Sequence, residues 1–251
     1  MNVDLWQGDC LELMKDIETG TVNLLLTDLP YGTTMCKWDS VIDLDLWWEQ
    51  VKRICKPNAA IVLTAQTPFD KVLGCSNLGM LRYEWIIEKT AATGHLNAKK
   101  MPMKAHENVL VFYSNLPTYN PQKTIGHKRK TSKTGKTYNS ECYGSESAKP
   151  DYDSTERYPR STLKFKWDKQ KSNIHSTQKP EALAEYMIKT YTNKGDLIVD
   201  TCMGSGAFVI PAVNLKRKVI GIDNGQCEKK SSKYFGWDWN DVVFDRLNKD
   251  K

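Results

Sequence analysis

Residues 197–212 read LIVDTCMGSGAFVIPA, and residues 219–223 read VIGID. The first stretch opens with an apolar run that ends on Asp200. It turns through Met203-Gly204-Ser205-Gly206 and re-enters an apolar segment, Ala207–Leu215, that reads as a helix. Glycines at 204 and 206 let the backbone turn tightly and approach a ligand where side chains would collide. Asp223 closes the next apolar run, where a carboxylate accepts hydrogen bonds from ribose hydroxyls. Strand, glycine turn, helix, strand, acid is the order of a nucleoside-binding unit. A full G-x-G-x-x-G is absent, which weakens a dinucleotide reading.

Working outward, apolar runs keep alternating with amphipathic ones. Val22–Thr27 reads as a buried strand ending at Asp28, and Asp43–Lys56 as a helix with Leu44, Trp47, Trp48, Val51, Ile54 and Cys55 on one face. Pro57-Asn58 stops that helix, and Ala59–Ala65 is the next strand. A helix near Phe69–Leu78 follows, then strands at Tyr83–Lys89 and Asn108–Tyr113. Pro180–Thr192 is helical with Pro180 in its first turn, and Asp196–Asp200 and Lys218–Asp223 are strands. Such alternation predicts an α/β protein: a doubly wound, mostly parallel sheet covered on both faces.

The pattern breaks over 115–172, where Pro, Gly, Ser, Thr, Tyr and Lys dominate. The chain therefore divides into a core half at 1–114, an insertion at 115–172 and a second core half at 173–251. The window 115–180 holds fourteen Lys/Arg against six Asp/Glu, while the whole chain carries a net charge of +6. Almost all the positive excess sits in this one region, which suits a nucleic-acid face as well as a merely solvated loop. Seven scattered cysteines with no C-x-x-C spacing argue against disulfides and zinc and fit a reducing cytoplasm. His95, His106, His127 and His175 lack metal-ligand spacing, so no metal is expected. Neither a membrane span nor a signal peptide is read.

Thr27-Asp28-Leu29-Pro30-Tyr31-Gly32 leaves the carboxyl end of a strand, where open α/β sheets bind ligands. An aromatic amine is a poor nucleophile because its lone pair is delocalised into the ring. A carboxylate and a carbonyl accepting from its two N–H groups favour a pyramidal nitrogen. Asp28 and the Leu29 carbonyl supply those acceptors, Pro30 fixes the backbone direction, and Tyr31 offers a ring for stacking on an extruded base. The bland reading is an ordinary turn.

Taken together, Asp28–Tyr31, KTAATGHLNAKKMPMKAHENVLVFY (89–113), ERYPRSTLKF (156–165), His175–Pro180 and Asp200–Gly206 with Asp223 resemble the amino-methylating DNA methyltransferases. The order, with the catalytic motif first and the cofactor motif last, is that of the β-type N6-adenine/N4-cytosine family, and the likeness is nearest to phage and prophage adenine enzymes. It spans nearly the whole chain. The resemblance implies a Rossmann-like methyltransferase fold with a target-recognition insertion, and S-adenosylmethionine as cofactor. It puts Met203, Gly204, Ser205 and Gly206 with Asp200 at the methionine end, Asp223 on the ribose, and Asp9 with Cys10 on the adenine. Thr177, Gln178 and Lys179 match the element that closes over the methionine moiety, with Lys179 on its carboxylate, although Asp9 also reads as a helix cap. Leu29 stands where the family usually has Pro, and Met203 where many members have Phe.

For the insertion the resemblance implies double-stranded DNA as partner. Lys123, Lys128, Arg129, Lys130, Lys133 and Lys136 are the expected phosphate contacts, and Arg157 and Arg160 the expected base readers. Homodimerisation is a family expectation. An Asp-initiated motif leans to adenine; N4-cytosine methylation, a catalytically silent DNA-binding protein and a nucleotide-dependent oxidoreductase are the competing readings. No covalent intermediate is expected, since the chain has no Pro-Cys of the kind used by ring-carbon methyltransferases.

Overall fold

The computed structural model describes residues 2–34, 36, 39–133, 139–140, 144–145, 151–166, 174 and 177–249. In chain order its elements are β1 (Val3–Gln7), α1 (Cys10–Leu13), β2 (Val22–Thr27), α2 (Leu44–Ile54), β3 (Cys55–Ala65), α3 (Phe69–Ser76), β4 (Leu81–Thr93) and β5 (Lys104–Phe112). Short strands follow: β6 (Lys130–Ser132), β7 (Asn139–Ser140), β8 (Gly144–Ser145), β9 (Tyr152–Ser154) and β10 (Thr162–Phe165). The chain ends with α4 (Glu181–Tyr191), β11 (Leu197–Asp200), α5 (Val209–Asn214), β12 (Lys218–Asp223) and α6 (Trp239–Lys249).

Eight strands form the main sheet in the order β1-β12-β11-β2-β3-β5-β4-β10. All neighbours are parallel except β5, which runs against both β3 and β4. The chain leaves β2 toward β3 and leaves β11 toward β12, in opposite directions from two adjacent strands. That divergence opens a crevice beyond their carboxyl ends, the switch point where open sheets bind ligands. It also sends the crossovers to opposite faces. Leu24, Leu26 and Ile198 point into one core with α4, α5 and α6; Val22, Leu25 and Val199 point into the other with α1, α2 and α3. The expected doubly wound, mostly parallel sheet is the fold.

Local chemistry sets the element ends. Asp43 caps α2 by accepting from the Asp45 and Leu46 amides at 3.0 and 3.1 Å, with Lys52 and Arg53 in the last turn against the helix dipole. Trp47 and Trp48 are core, with their indole N–H groups on Thr201 (3.3 Å) and Ser76 (2.8 Å). The helix expected to run to Lys56 and stop at Pro57 ends at Ile54, and the chain enters β3 at Cys55, before the proline. Val22 pairs with Cys55 and Leu24 with Ala60, so Pro57 and Asn58 sit in a bulge that needs no ladder amide.

The structure divides into two compact units, Met1–Asn120 with Ser161–Lys251, and Pro121–Arg160. Both flanks of the 115–172 stretch belong to the larger unit. Asn120 bonds the end of α4 through Thr190 and Thr192, and Thr162–Phe165 extends the sheet as β10 beside β4. Pro121–Arg160 carries two small ladders, β6 with β9 and β7 with β8. Among the described residues no helix is long and apolar enough to cross a membrane.

Candidate active site

A cavity of about 990 Å³ opens at the switch point. Its wall takes residues from Gly8–Leu11 after β1, Asp28–Tyr31 after β2, Lys89–Thr93 of β4, Thr177–Lys179 before α4, Asp200–Ser205 after β11 and Asp223–Gln226 after β12. Every cofactor or catalytic residue expected from the sequence is on this wall except Gly206, which lies directly behind it.

The glycine turn is held from below. Gly206 has φ +79°, and an added Cβ would stand 2.7 Å from Cγ2 of Val243 in α6. Gly221 is equally confined, its Cβ position lying 2.6 Å from Sδ of Met203. Arg246 of α6 donates to the Ser205 carbonyl and to Glu181, pinning the turn to the start of α4. Val243 and Arg246 of the C-terminal helix thus support the turn. Asp223 accepts from the Gly204 amide at 2.8 Å and the Gly225 amide at 2.7 Å; burial raises its carboxyl, moderated by those bonds. Asp9 caps α1 through the Leu11 amide at 2.8 Å and also lines the cavity, so the helix cap and a place on the cavity wall fall to the same side chain. Cys10 is buried, and a thiol contact with Cys202 lowers it while raising Cys202.

Asp200 is almost wholly buried and accepts from Thr27 Oγ1 at 2.8 Å and the Cys202 amide at 3.2 Å. Burial lifts its carboxyl to about 8, Thr27 and Cys202 opposing and Asp223 and Asp28 adding. An acid raised on folding stabilises fully below its unfolded value near 4, and that contribution is lost as pH climbs through 8. The free protein is expected to lose stability on the order of 5 kcal/mol over that window, and Asp200→Asn to flatten the loss. Denaturant midpoints between pH 5 and 9 check this; a flat wild-type profile would refute it.

Around Asp28 the structure joins Tyr31 and Lys179, both expected at the site, to Thr64, Glu107 and Lys89, which sequence reading did not single out. Asp28 Oδ1 accepts from Tyr31 Oη at 2.5 Å and from Thr64 Oγ1, and Oδ2 pairs with Lys179 Nζ at 2.8 Å. Lys179 also reaches Glu107 Oε2 at 3.5 Å, and Lys89 pairs with Glu107 Oε1 at 2.8 Å. Burial opposes the Lys179 charge, yet Asp28, Tyr31 and Glu107 hold its ammonium well above the ordinary lysine range. Burial likewise opposes the Glu107 charge, and Lys179 and Lys89 together bring its carboxyl below the usual range. Lys179, expected on a cofactor carboxylate, here serves Asp28. Tyr31 is engaged on its ring: it stacks on Phe69 at 5.1 Å, with the Lys179 ammonium 5.2 Å from its centroid. Asp39 gathers the loop beyond it, accepting amides of Tyr31, Gly32, Thr33 and Thr34 at 2.7–3.0 Å. Burial of Asp39 is outweighed by these bonds, and its carboxyl falls below the ordinary range.

In the Pro121–Arg160 unit the expected contacts separate into two groups. Lys123 pairs with Glu156 at 2.9 Å, and Arg129 grips Asp153 through two bonds of 2.7 and 2.5 Å. Arg157 spends its guanidinium on the carbonyls of Ser154, Glu156 and Lys128, which makes it a brace for its own unit rather than a free base reader. Lys128, Lys130, Lys133 and Arg160 are exposed and carry no ion pair among the described residues. Lys136, like His175 and Ser176, lies outside the described residues. No cluster of His, Cys, Asp and Glu suited to a metal occurs among the described residues.

Comparison with known proteins converges on one family. The profile described as DNA methylase matches residues 22–233. The chain is 27% identical over 229 residues to the type II methyltransferase M.HpaI of Haemophilus parainfluenzae, covering 86% of this chain and 68% of that one. Among solved structures, the M1.HpyAVI complex with SAM superposes with a TM-score of 0.64 at 20% identity, over 98% of this chain and all of the other. The cytosine-N4-specific PvuII DNA methyltransferase superposes at 0.67 with 14% identity, over 99% and 93% of the two chains.

Proposed function

The chain belongs to the DNA methylase family that its residues 22–233 match, and from that membership we propose that it methylates N6 of adenine in double-stranded DNA, by direct transfer to a base turned out of the helix. It is an S-adenosylmethionine-dependent DNA methyltransferase. The observation that carries the finer reading is the Asp28 carboxylate at the switch point, sharing one cavity with Asp200, Asp223 and the glycine turn.

The donor set fits the cofactor. Asp9 and Asp223 on the cavity wall offer acceptor oxygens to the hydroxyl, amino and ammonium groups of that ligand. Asp28 is balanced by Lys179, and Asp200, raised to about 8, braces the turn as a largely neutral acid at pH 7. S-adenosylmethionine supplies an electrophilic methyl group whose sulfur leaves as a neutral thioether. The protein's part is then positioning, with acceptors aimed at the amine. Asp28 and the Leu29 carbonyl take the two N–H groups and free the nitrogen lone pair. As the N–CH3 bond forms and the S–CH3 bond breaks, the nitrogen gains positive charge and must shed one proton. Lys179 is held protonated and cannot take it; the Asp28 carboxylate can, and passes it to solvent.

The Asp at 28 favours adenine. N4-cytosine is the second reading, because the same amine chemistry serves both bases and the fold is shared with a cytosine-N4 enzyme. Purified protein, unmethylated duplex DNA and methyl-labelled cofactor, followed by digestion to nucleosides and mass spectrometry, decide between them. N6-methyladenine upholds the proposal and N4-methylcytosine reverses the base.

For DNA affinity, the free cations of the smaller unit are the candidates. Replacing Lys128, Lys130 and Lys133 together with Ala is expected to lower the slope of log K against log salt by roughly 2 to 3, about 0.9 per phosphate contact. Arg129→Ala, whose charge Asp153 already takes, is expected to leave that slope nearly unchanged. Equal slopes for the triple variant and the wild type would exclude these lysines as phosphate contacts.

A further inference from the structure

The β4–β5 hairpin carries a surface that neither the cofactor site nor the catalytic carboxylate uses. From Thr90 to His106 every residue is exposed, so this arm stands clear of the core that ends at Lys89 and Glu107. Its tip is nonetheless built. Gly94, at φ +88°, turns the chain into a single 3-10 turn, His95–Asn97, and amides of Asn97, Ala98, Lys100 and Met101 bond back to Gly94, His95 and Asn97. On that ordered turn Leu96 is 87% exposed, with Met101 at 53% and Met103 at 40%. Leu96 and Met101, held in water on a self-bonded turn, with Met103 just beyond it, suggest a partner surface. Between Lys89 and Glu107 the chain has Lys99, Lys100 and Lys104 and no acidic residue.

Place and charge name the partner. The base of the arm, Lys89–Thr93, is the wall of the catalytic cavity, and Leu96 lies three residues beyond Thr93, at most about 11 Å along the chain. A base drawn into that cavity leaves a gap of its own size in the stack beside it. Such a gap has apolar walls and phosphates on its rim. Apolar wedges flanked by cations enter DNA in this way, the side chain replacing a stacking partner.

We propose that the 94–103 tip is a wedge for duplex DNA, with Leu96 entering the stack where the target base leaves it and Lys99, Lys100 and Lys104 on the adjoining phosphates. This rests on the reading that the enzyme methylates an extruded base in duplex DNA. The wedge holds open a gap that costs stacking energy only when the target is paired and stacked.

The test follows from that dependence. After product sequencing has located the modified site with the unsubstituted enzyme, Leu96→Ala and the unsubstituted enzyme are compared on two oligonucleotide duplexes. One is fully paired; the other has an abasic position opposite the target. Leu96→Ala is expected to lower kcat/KM about tenfold or more on the paired duplex and less than twofold on the abasic one, with an unchanged melting temperature. Restoration on the paired duplex by Leu96→Phe supports a stacking role. Equal loss on both duplexes, or no loss on either, overturns the wedge. A fall in the sedimentation mass of the free protein on Leu96→Ala would make the tip a contact between copies, and overturns it too. Failure of the unsubstituted enzyme to methylate any DNA strikes the reading of the reaction instead.

Discussion

Asp28→Ala is expected to lower kcat/KM for methyl transfer by roughly a thousandfold or more, while S-adenosylmethionine binding changes only a few fold. The carboxylate is the side-chain acceptor proposed for the amine, and its interaction gains strength as the nitrogen becomes positive. Removing an interaction made mainly in the transition state lowers kcat and kcat/KM together. The other residues expected on the cofactor come from other strands: the glycine turn follows β11, Asp223 ends β12 and Asp9 follows β1. Asp28→Asn is the informative companion. It keeps one acceptor oxygen but sets an amide against Lys179, 2.8 Å from the present Oδ2, and should retain a small residual rate. Single-turnover transfer and calorimetric titration of the cofactor measure the two effects separately. An alanine variant with a tenth of the wild-type rate would remove Asp28 from this role.

How much of this site was legible in the chain follows from the range of the forces involved. Val22–Thr27 and Lys218–Asp223 were read to the residue because a strand buried on both faces must be apolar along its length. Asp28, Asp200 and Asp223 were legible because each ends such a run, and the switch point brings those ends to one crevice. β1 was not: VDLWQ is only partly buried, and its hydrophobicity alternates with Asp4 and Gln7. α6 was passed over although Trp239, Val242, Val243 and Leu247 do share a face; its reason for being there, the Gly206 turn, is more than thirty residues away. The arm beyond Lys89 and before Glu107 was invisible as strand because nothing buries it, and only hairpin pairing such as Thr93 with Lys104 extends the ladder.

Least legible was the charge network. Lys89 closed one strand as read and Glu107 fell one residue before the next, Asn108–Tyr113, so neither charge had a partner to give it meaning. β5 runs against β4, so the amino end of one meets the carboxyl end of the other, and Glu107 arrives beside Lys89 at the same edge of the sheet as Asp28. Lys179 comes from the segment before α4. Two cations and two anions thus meet from four places in the chain, and only the closed sheet makes their sum zero.

Lys179→Met unbalances that sum and is expected to be the most destabilising single change at the site. It leaves Asp28 and Glu107 facing each other with Lys89 alone. Losing one partner of a buried pair costs about 3–5 kcal/mol; because the Asp28 side chain is 24% exposed and partly screened by water, the lower end applies. The pH dependence fixes the cause. Glu107 is depressed in the folded protein, so its contribution is present above the unfolded value and disappears as pH falls through the depressed one. Without Lys179 that depression shrinks, so the stability of the variant should fall less steeply than that of the wild type as pH drops through the unfolded carboxylate range. Adding Glu107→Gln removes the stranded carboxylate and restores neutrality with Lys89 and Asp28. The double variant should therefore be more stable than Lys179→Met alone, with a coupling on the order of 1–3 kcal/mol, yet remain slow, because Asp28 has lost its ammonium. Denaturant midpoints of the four proteins at pH 5 and 8 give the cycle. Strict additivity would mean that Lys179 and Glu107 do not act on each other and that the lysine serves Asp28 alone.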